Sequence, residues 1–320
     1  MQQMHAEADR LGKVSLTIGS DLTKEVNRRQ MQTIRPQMES VDVRLADMDR
    51  MGVDIQAVAH FPPQMYYWAS ADVAEDAFRK MNLDMAETLI ARHPDRFVGM
   101  GNVPLQDTEL AISELRHCIS ELGFRGIQVS TRVEDEELSA PRLEPFWDEV
   151  EALNAVVVVH SSGHDNPRRL GHHYLINVVG HPIEGAMAAS QLIFNGVMER
   201  HPRLKLVLVH GGGYLPAYAA RMDHAYHARE DVREGLPRPP GEYLKRFYFD
   251  TMVFAEDQLA FLIDKYGADH IVLGTDFPYD MGETDPVGLI SRTVGDDRAS
   301  LAAISGGNAA RLLGLTRPSD

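Results

Sequence analysis

Leu204–Arg221 reads LKLVLVHGGGYLPAYAAR. Leu and Val alternate around Lys205 up to Val209, the pattern of a strand in a barrel or open sheet. The run ends on His210, and three glycines follow, Gly211 to Gly213. Glycine lets the backbone turn sharply and approach a ligand closely. A segment of helical character comes next. His210 therefore stands at the C-terminal mouth of a strand, where α/β folds keep their chemistry. Taken alone it reads more readily as a turn histidine. Two further runs change that reading: VVVVH ends on His160 and HIVLGTD ends on Asp276. Three strand-like runs ending in His, His and Asp point to one shared polar site.

The rest of the chain alternates strand and helix without low complexity or a linker. Strands are expected near Val53, Phe97, Gly126, Val156, Leu206, Phe247 and Ile271. That order argues for a parallel β/α architecture in one domain, residues 1–320. A TIM-like (β/α)8 barrel needs eight strands, so the chain reads as such a barrel apparently lacking its first strand. Residues 1–43 read as an irregular N-terminal segment, with VSLTIG a short strand at most. An open doubly wound sheet is the alternative. No Gly-rich phosphate fingerprint follows the first strand, which weakens a nucleotide-binding reading.

Composition narrows the function classes. Of 320 residues, 44% are hydrophobic and 25% charged, ordinary for a globular protein. The formal charge of -15 argues against nucleic acid or an anionic membrane as partner, since both need a basic surface. The single cysteine, Cys118, excludes an internal disulfide and fits a cytoplasmic protein. No apolar run reaches membrane-spanning length, and MQQMHAEADRLGK lacks the apolar core of a signal peptide.

Imidazole and carboxylate suit Zn²⁺ and similar divalent ions. His160 and Asp276 are the ligand candidates, and His210 is a third ligand or an acid/base. QVST, at the end of the strand near Gly126, has no Lys to bridge two metals, so a single ion is expected. Arg35 and Arg221 suit bidentate carboxylate binding, although single arginines usually serve surface ion pairs. Asp250 reads as a mouth acid or as a loop cap. His60 also faces the mouth, and Phe61, Tyr66, Tyr67 and Trp68 after it either line a flat-substrate pocket or pack their loop. His164, His172 and His173 read as a solvated or lid cluster.

The chain resembles the amidohydrolase-related metal-dependent decarboxylases. The resemblance rests on RLADMDRMGVDIQAV, RFVGMGNVPLQDTELAISEL, ELGFRGIQVSTRV, VHGGGYLPAYAARMDHAY and IVLGTDFPYDMGE, and it covers residues 43–315. It implies a distorted β/α barrel with one divalent metal, zinc or alternatively manganese, and no organic cofactor. It implies His160 and Asp276 as metal ligands and His210 as the catalytic histidine acting on metal-bound water. It implies Arg35, nine residues before Arg44, as a substrate-carboxylate arginine, and Arg221 as an arginine reaching into the neighbouring subunit of a homodimer. The activity it implies is non-oxidative decarboxylation of an unsaturated or aromatic carboxylate. A hydrolase or hydratase of the same fold and an inactive truncated homologue are the alternatives. Two departures accompany the resemblance. The family's first-strand HxH pair has no counterpart in residues 1–50, where His5 is the only histidine; the expectation is a chain starting at an internal Met of a longer product. Ser161, Ser162 and Gly163 also stand where the family often has Pro, Trp and Asp, so contacts from that loop are expected to differ.

Overall fold

The structure, a computed structural model, describes residues 19–163 and 167–315. Seven strands form one wholly parallel sheet in chain order: β1 (Gln56–Ala59), β2 (Phe97–Asn102), β3 (Gly126–Val129), β4 (Val156–Val159), β5 (Lys205–Leu208), β6 (Tyr248–Asp250) and β7 (Ile271–Val272). Each strand pairs with the next, as in Gly126 opposite Val156 and Val207 opposite Tyr248. Parallel neighbours require crossovers, and helices supply them. The result is the TIM-like curled sheet, seven-stranded among the described residues.

Strand parity decides which side chains face which layer. In β4, Val157 and Val159 join the layer between sheet and helices, with Trp147, Leu192 and Phe249. Val156 and Val158 face the other side, with Met100, Val207, Val272 and Leu312. Burying each valine contributes about 1.5–3 kcal/mol. The next even position is His160, so the same alternation carries its ring to the inner side at the mouth. Trp147 is fully buried and donates its indole N–H to the Leu138 carbonyl at 2.9 Å.

The N-terminal segment requires a correction. Residues 21–39, expected to be irregular, form α1 (Asp21–Glu39), and α2 (Val41–Met51) follows directly. Ser20 caps α1 by accepting the Thr23 N–H. Glu25 pairs with Arg28 at i,i+3, and Arg35 with Glu39 at i,i+4. The buried residues of α1 are Asn27, Gln30 and Ile34, one face at helical spacing with two polar members. That polarity erased the apolar period. Residues 14–18, most of the suggested VSLTIG strand, lie outside the described residues.

β1 and β7 end the sheet, each with one strand neighbour. A cleft of about 290 Å³ runs between them, lined by Gln56 to His60 on one side and Leu273 to Tyr279 on the other. Among the described residues, no helix is long and apolar enough to cross a membrane.

Candidate metal centre and substrate cleft

His160, His210 and Asp276 converge at the strand ends. One ligand atom from each lies within 4.8 Å of the others. The imidazole centroids of His160 and His210 are 5.0 Å apart. Each arrives by a different local device. His160 continues β4, and its Nδ1 lies 2.7 Å from the Ser161 carbonyl. A carbonyl only accepts, so Nδ1 carries the proton and the Nε2 lone pair is left for a ligand.

His210 leaves β5 in the left-handed region, at φ 56°. Asp250 sits at the end of β6 and holds the turn that follows. Its Oδ1 accepts the backbone N–H of Gly211 at 2.8 Å and of Met252 at 3.1 Å. Both sequence readings hold, since Asp250 caps this turn and also lines the cleft. Asp276 also adopts positive φ, 50°. Positive φ is uncommon for residues other than glycine and clusters at functional sites.

Burial sets the protonation states. It lowers His160 to about 4 and His60 to about 4. Burial, with His160 and His181 nearby, holds His210 well below the ordinary imidazole range. All three rings are neutral near pH 7, the form that binds metal or accepts a proton. Burial raises Asp276 to about 6, with Asp280 adding to the shift. It raises Asp250 to about 7 against the backbone N–H groups that favour its anion. Two neutral imidazoles and a carboxylate in one buried group fit a divalent cation of the Zn²⁺ or Mn²⁺ type.

The triple glycine is a steric requirement as well as a turn. A Cβ on Gly213, at φ +63°, would stand 2.2 Å from the Pro182 carbonyl oxygen. Gly213→Ala is expected to cost about 2–4 kcal/mol, combining backbone strain with a clash against main chain. Chemical denaturation checks this; a loss under about 1 kcal/mol, no more than the smallest of these strain terms, would show that the turn yields freely.

The arginines divide. Arg35 lies on the exposed face of α1, its side chain 71% exposed and its Nε 2.8 Å from Glu39. It does not line the cleft. Arg221 is exposed on the helix Leu215–Ala228, beside a groove lined by Tyr218 and Asp231. The structure does not bring it to the three donors of its own chain. Arg44, used above only to count positions, does line the cleft. Its guanidinium lies 5.2 Å from the Phe277 ring centroid and donates to Gln56 at 3.0 Å. It makes no ion pair among the described residues. Arg44 opens the stretch RLADMDRMG, and that helical context was its only signal.

Other expectations resolve by packing. Tyr66 and Tyr67 pack on Phe78, while Phe61 stacks on Tyr279 at 5.4 Å on the cleft wall. His172 and His173 are exposed, and His164 lies outside the described residues. Sequence reasoning missed His181. Its ring centroid is 6.0 Å from those of both His160 and His210. It opens the helix His181–Phe194. Pro182, in the first turn, was the available start signal.

Residues 9–315 match the amidohydrolase family. The chain is 37% identical to 2-amino-3-carboxymuconate-6-semialdehyde decarboxylase of Dictyostelium discoideum, over 86% of this chain and 76% of that one. It is 32% identical to gamma-resorcylate decarboxylase of Rhodococcus jostii, over 75% and 77%. A crystal structure of dihydroxybenzoic acid decarboxylase from Polaromonas, with bound manganese and the inhibitor 2-nitroresorcinol, superposes with a TM-score of 0.82. It is 28% identical and covers 91% of each chain. The 5-carboxyvanillate decarboxylase of Sphingomonas paucimobilis superposes with a TM-score of 0.80 at 28% identity, over 88% of this chain and 87% of that one.

Proposed function

The chain belongs to the amidohydrolase family, and on that premise we propose that it is a metal-dependent, non-oxidative decarboxylase of an unsaturated or aromatic carboxylate. The observation that carries the reading is the convergence of His160, His210 and Asp276 within 4.8 Å, in a chain whose relatives are decarboxylases.

Loss of CO₂ breaks one C–C bond, and the carbon left behind must take up one proton. His210 is neutral and buried beside both other donors. It accepts that proton from water on its free ring nitrogen and delivers it to carbon, and the hydroxide left behind leaves with CO₂ as bicarbonate. His160 and Asp276 hold the divalent ion, zinc or manganese, which supplies Lewis acidity toward substrate oxygens. The flat walls formed by Phe61 and Tyr279 suit a planar substrate. Arg44 offers a cation to a carboxylate in the cleft, the role that the resemblance gave to Arg35. Arg221 serves the site of a second copy in a homodimer. A cytoplasmic location agrees with the lone buried Cys118.

The test is release of CO₂ by zinc- or manganese-loaded protein from hydroxybenzoates and carboxylated muconate semialdehydes. One CO₂ per product is expected. Products of water addition, or no CO₂ from any member of the panel, would sink the reading.

A further inference from the structure

His181 has no assigned task, yet it sits where a task is available. Both ring nitrogens are shielded from solvent and have no hydrogen-bond partner among the described residues. A buried donor and acceptor left unpaired is unfavourable, and buried polar groups are nearly always satisfied. The ring stacks over His210 with an interplanar angle of 22°. It lines a small annex of about 60 Å³ together with Tyr174, Asn177, Asp276 and Met281. That is room enough for a ring substituent. Among the described residues no Lys or Arg lines it, whereas Arg44 lines the larger cleft. A second carboxylate would meet Asp276 there with no side-chain cation among the described residues to offset it. A neutral hydroxyl, which donates one hydrogen bond and accepts another, matches an imidazole that does the same.

We propose that His181 is a specificity-determining residue that hydrogen-bonds a hydroxyl substituent of the substrate in this annex. The inference rests on the decarboxylase reading for the placement of the substrate ring, and its test separates the two. Manganese-loaded protein is titrated calorimetrically with 2-nitroresorcinol and with 2-nitrophenol, which lacks one hydroxyl. The native chain is expected to prefer the former by about tenfold, the worth of one buried hydrogen bond. His181→Phe keeps a flat ring without nitrogens and should bring the ratio close to one. His181→Gln keeps a donor and an acceptor and should restore most of it. His172→Phe, at an exposed histidine that does not line the annex, should leave the ratio unchanged. Metal content and melting temperature of each variant identify a merely structural effect, which would weaken both ligands alike.

An unchanged ratio in His181→Phe overturns the inference, as does failure of both compounds to bind the native chain. CO₂ release from 2,6-dihydroxybenzoate is followed in parallel. A collapsed ratio without CO₂ release would leave the subsite standing and remove the reaction. CO₂ release with an unchanged ratio would do the reverse.

Discussion

His210→Asn is expected to lower kcat by about 10²–10⁴-fold, the usual range for loss of a positioned acid/base, while metal content stays near that of the native chain. Asparagine is the informative replacement. His210 sits at φ 56°, and Asn is among the few residues that enter this region readily. The Asp250 bonds to the Gly211 and Met252 N–H groups involve no His210 side-chain atom, so the turn persists. What is lost is an imidazole that can hold a proton for the carbon losing CO₂. Turnover and elemental analysis on the same sample decide the role. Reduced kcat with metal retained assigns proton transfer. Loss of metal along with activity would make His210 a ligand, as its place among the three donors also permits. Near-native turnover with metal bound would remove it from the chemistry.

The group of three donors was legible because strand parity and strand ends are local properties. A β run that stops on a polar residue presents that residue at the mouth whatever the rest of the chain does. His160 follows from the alternation within Val156–Val159 alone. His210 needed its glycines and Asp276 its own exit turn, and both patterns stand in the sequence. The seven strand positions were legible for the same reason: each is a short apolar run bounded by turn residues. α1 was not, because its buried face carries Asn27 and Gln30, and an apolar period cannot reveal a polar interface.

His181 and Arg44 were missed for a different reason. Each is brought to the cavities by the angle at which a helix meets the sheet, which no local pattern encodes. For Arg35 the resemblance supplied a role from position in the chain. The structure turns that residue outward to Glu39 and turns Arg44, nine residues later, inward.

Asp276→Asn is the second large effect. The substitution keeps shape and tolerates φ 50°, but it replaces the only carboxylate among the three donors. Two neutral imidazoles retain no charge to offset a divalent ion in a buried site. Affinity should fall by more than about 100-fold, beyond the 10–100-fold typical of residues that merely support ligands. Activity should fall with it. Dialysis followed by elemental analysis checks this, and a full equivalent of retained metal would show that Asp276 is not a ligand.

The pH dependence follows from the same carboxyl. Without metal, burial raises it from 3.8 to about 6. The folded protein then binds that proton more tightly than the unfolded chain does. Stability from this group is therefore intact below the unfolded value and is lost as pH rises through about 6. A cation neutralises the carboxylate, so metal should raise the melting temperature more at about pH 7.5 than at about pH 5. Metal affinity should weaken below about pH 6, where the proton competes. The amide that Asp276→Asn introduces cannot ionise. Asp250, raised to about 7 in part by Asp276, stays in both proteins, so the difference between their metal-free melting curves reports the Asp276 carboxyl together with its repulsion of Asp250. Between about pH 5 and about pH 7.5 the metal-free native chain should lose stability relative to Asp276→Asn. A gain instead would mean that a cationic group already neutralises Asp276, and the site would then have less need of a metal.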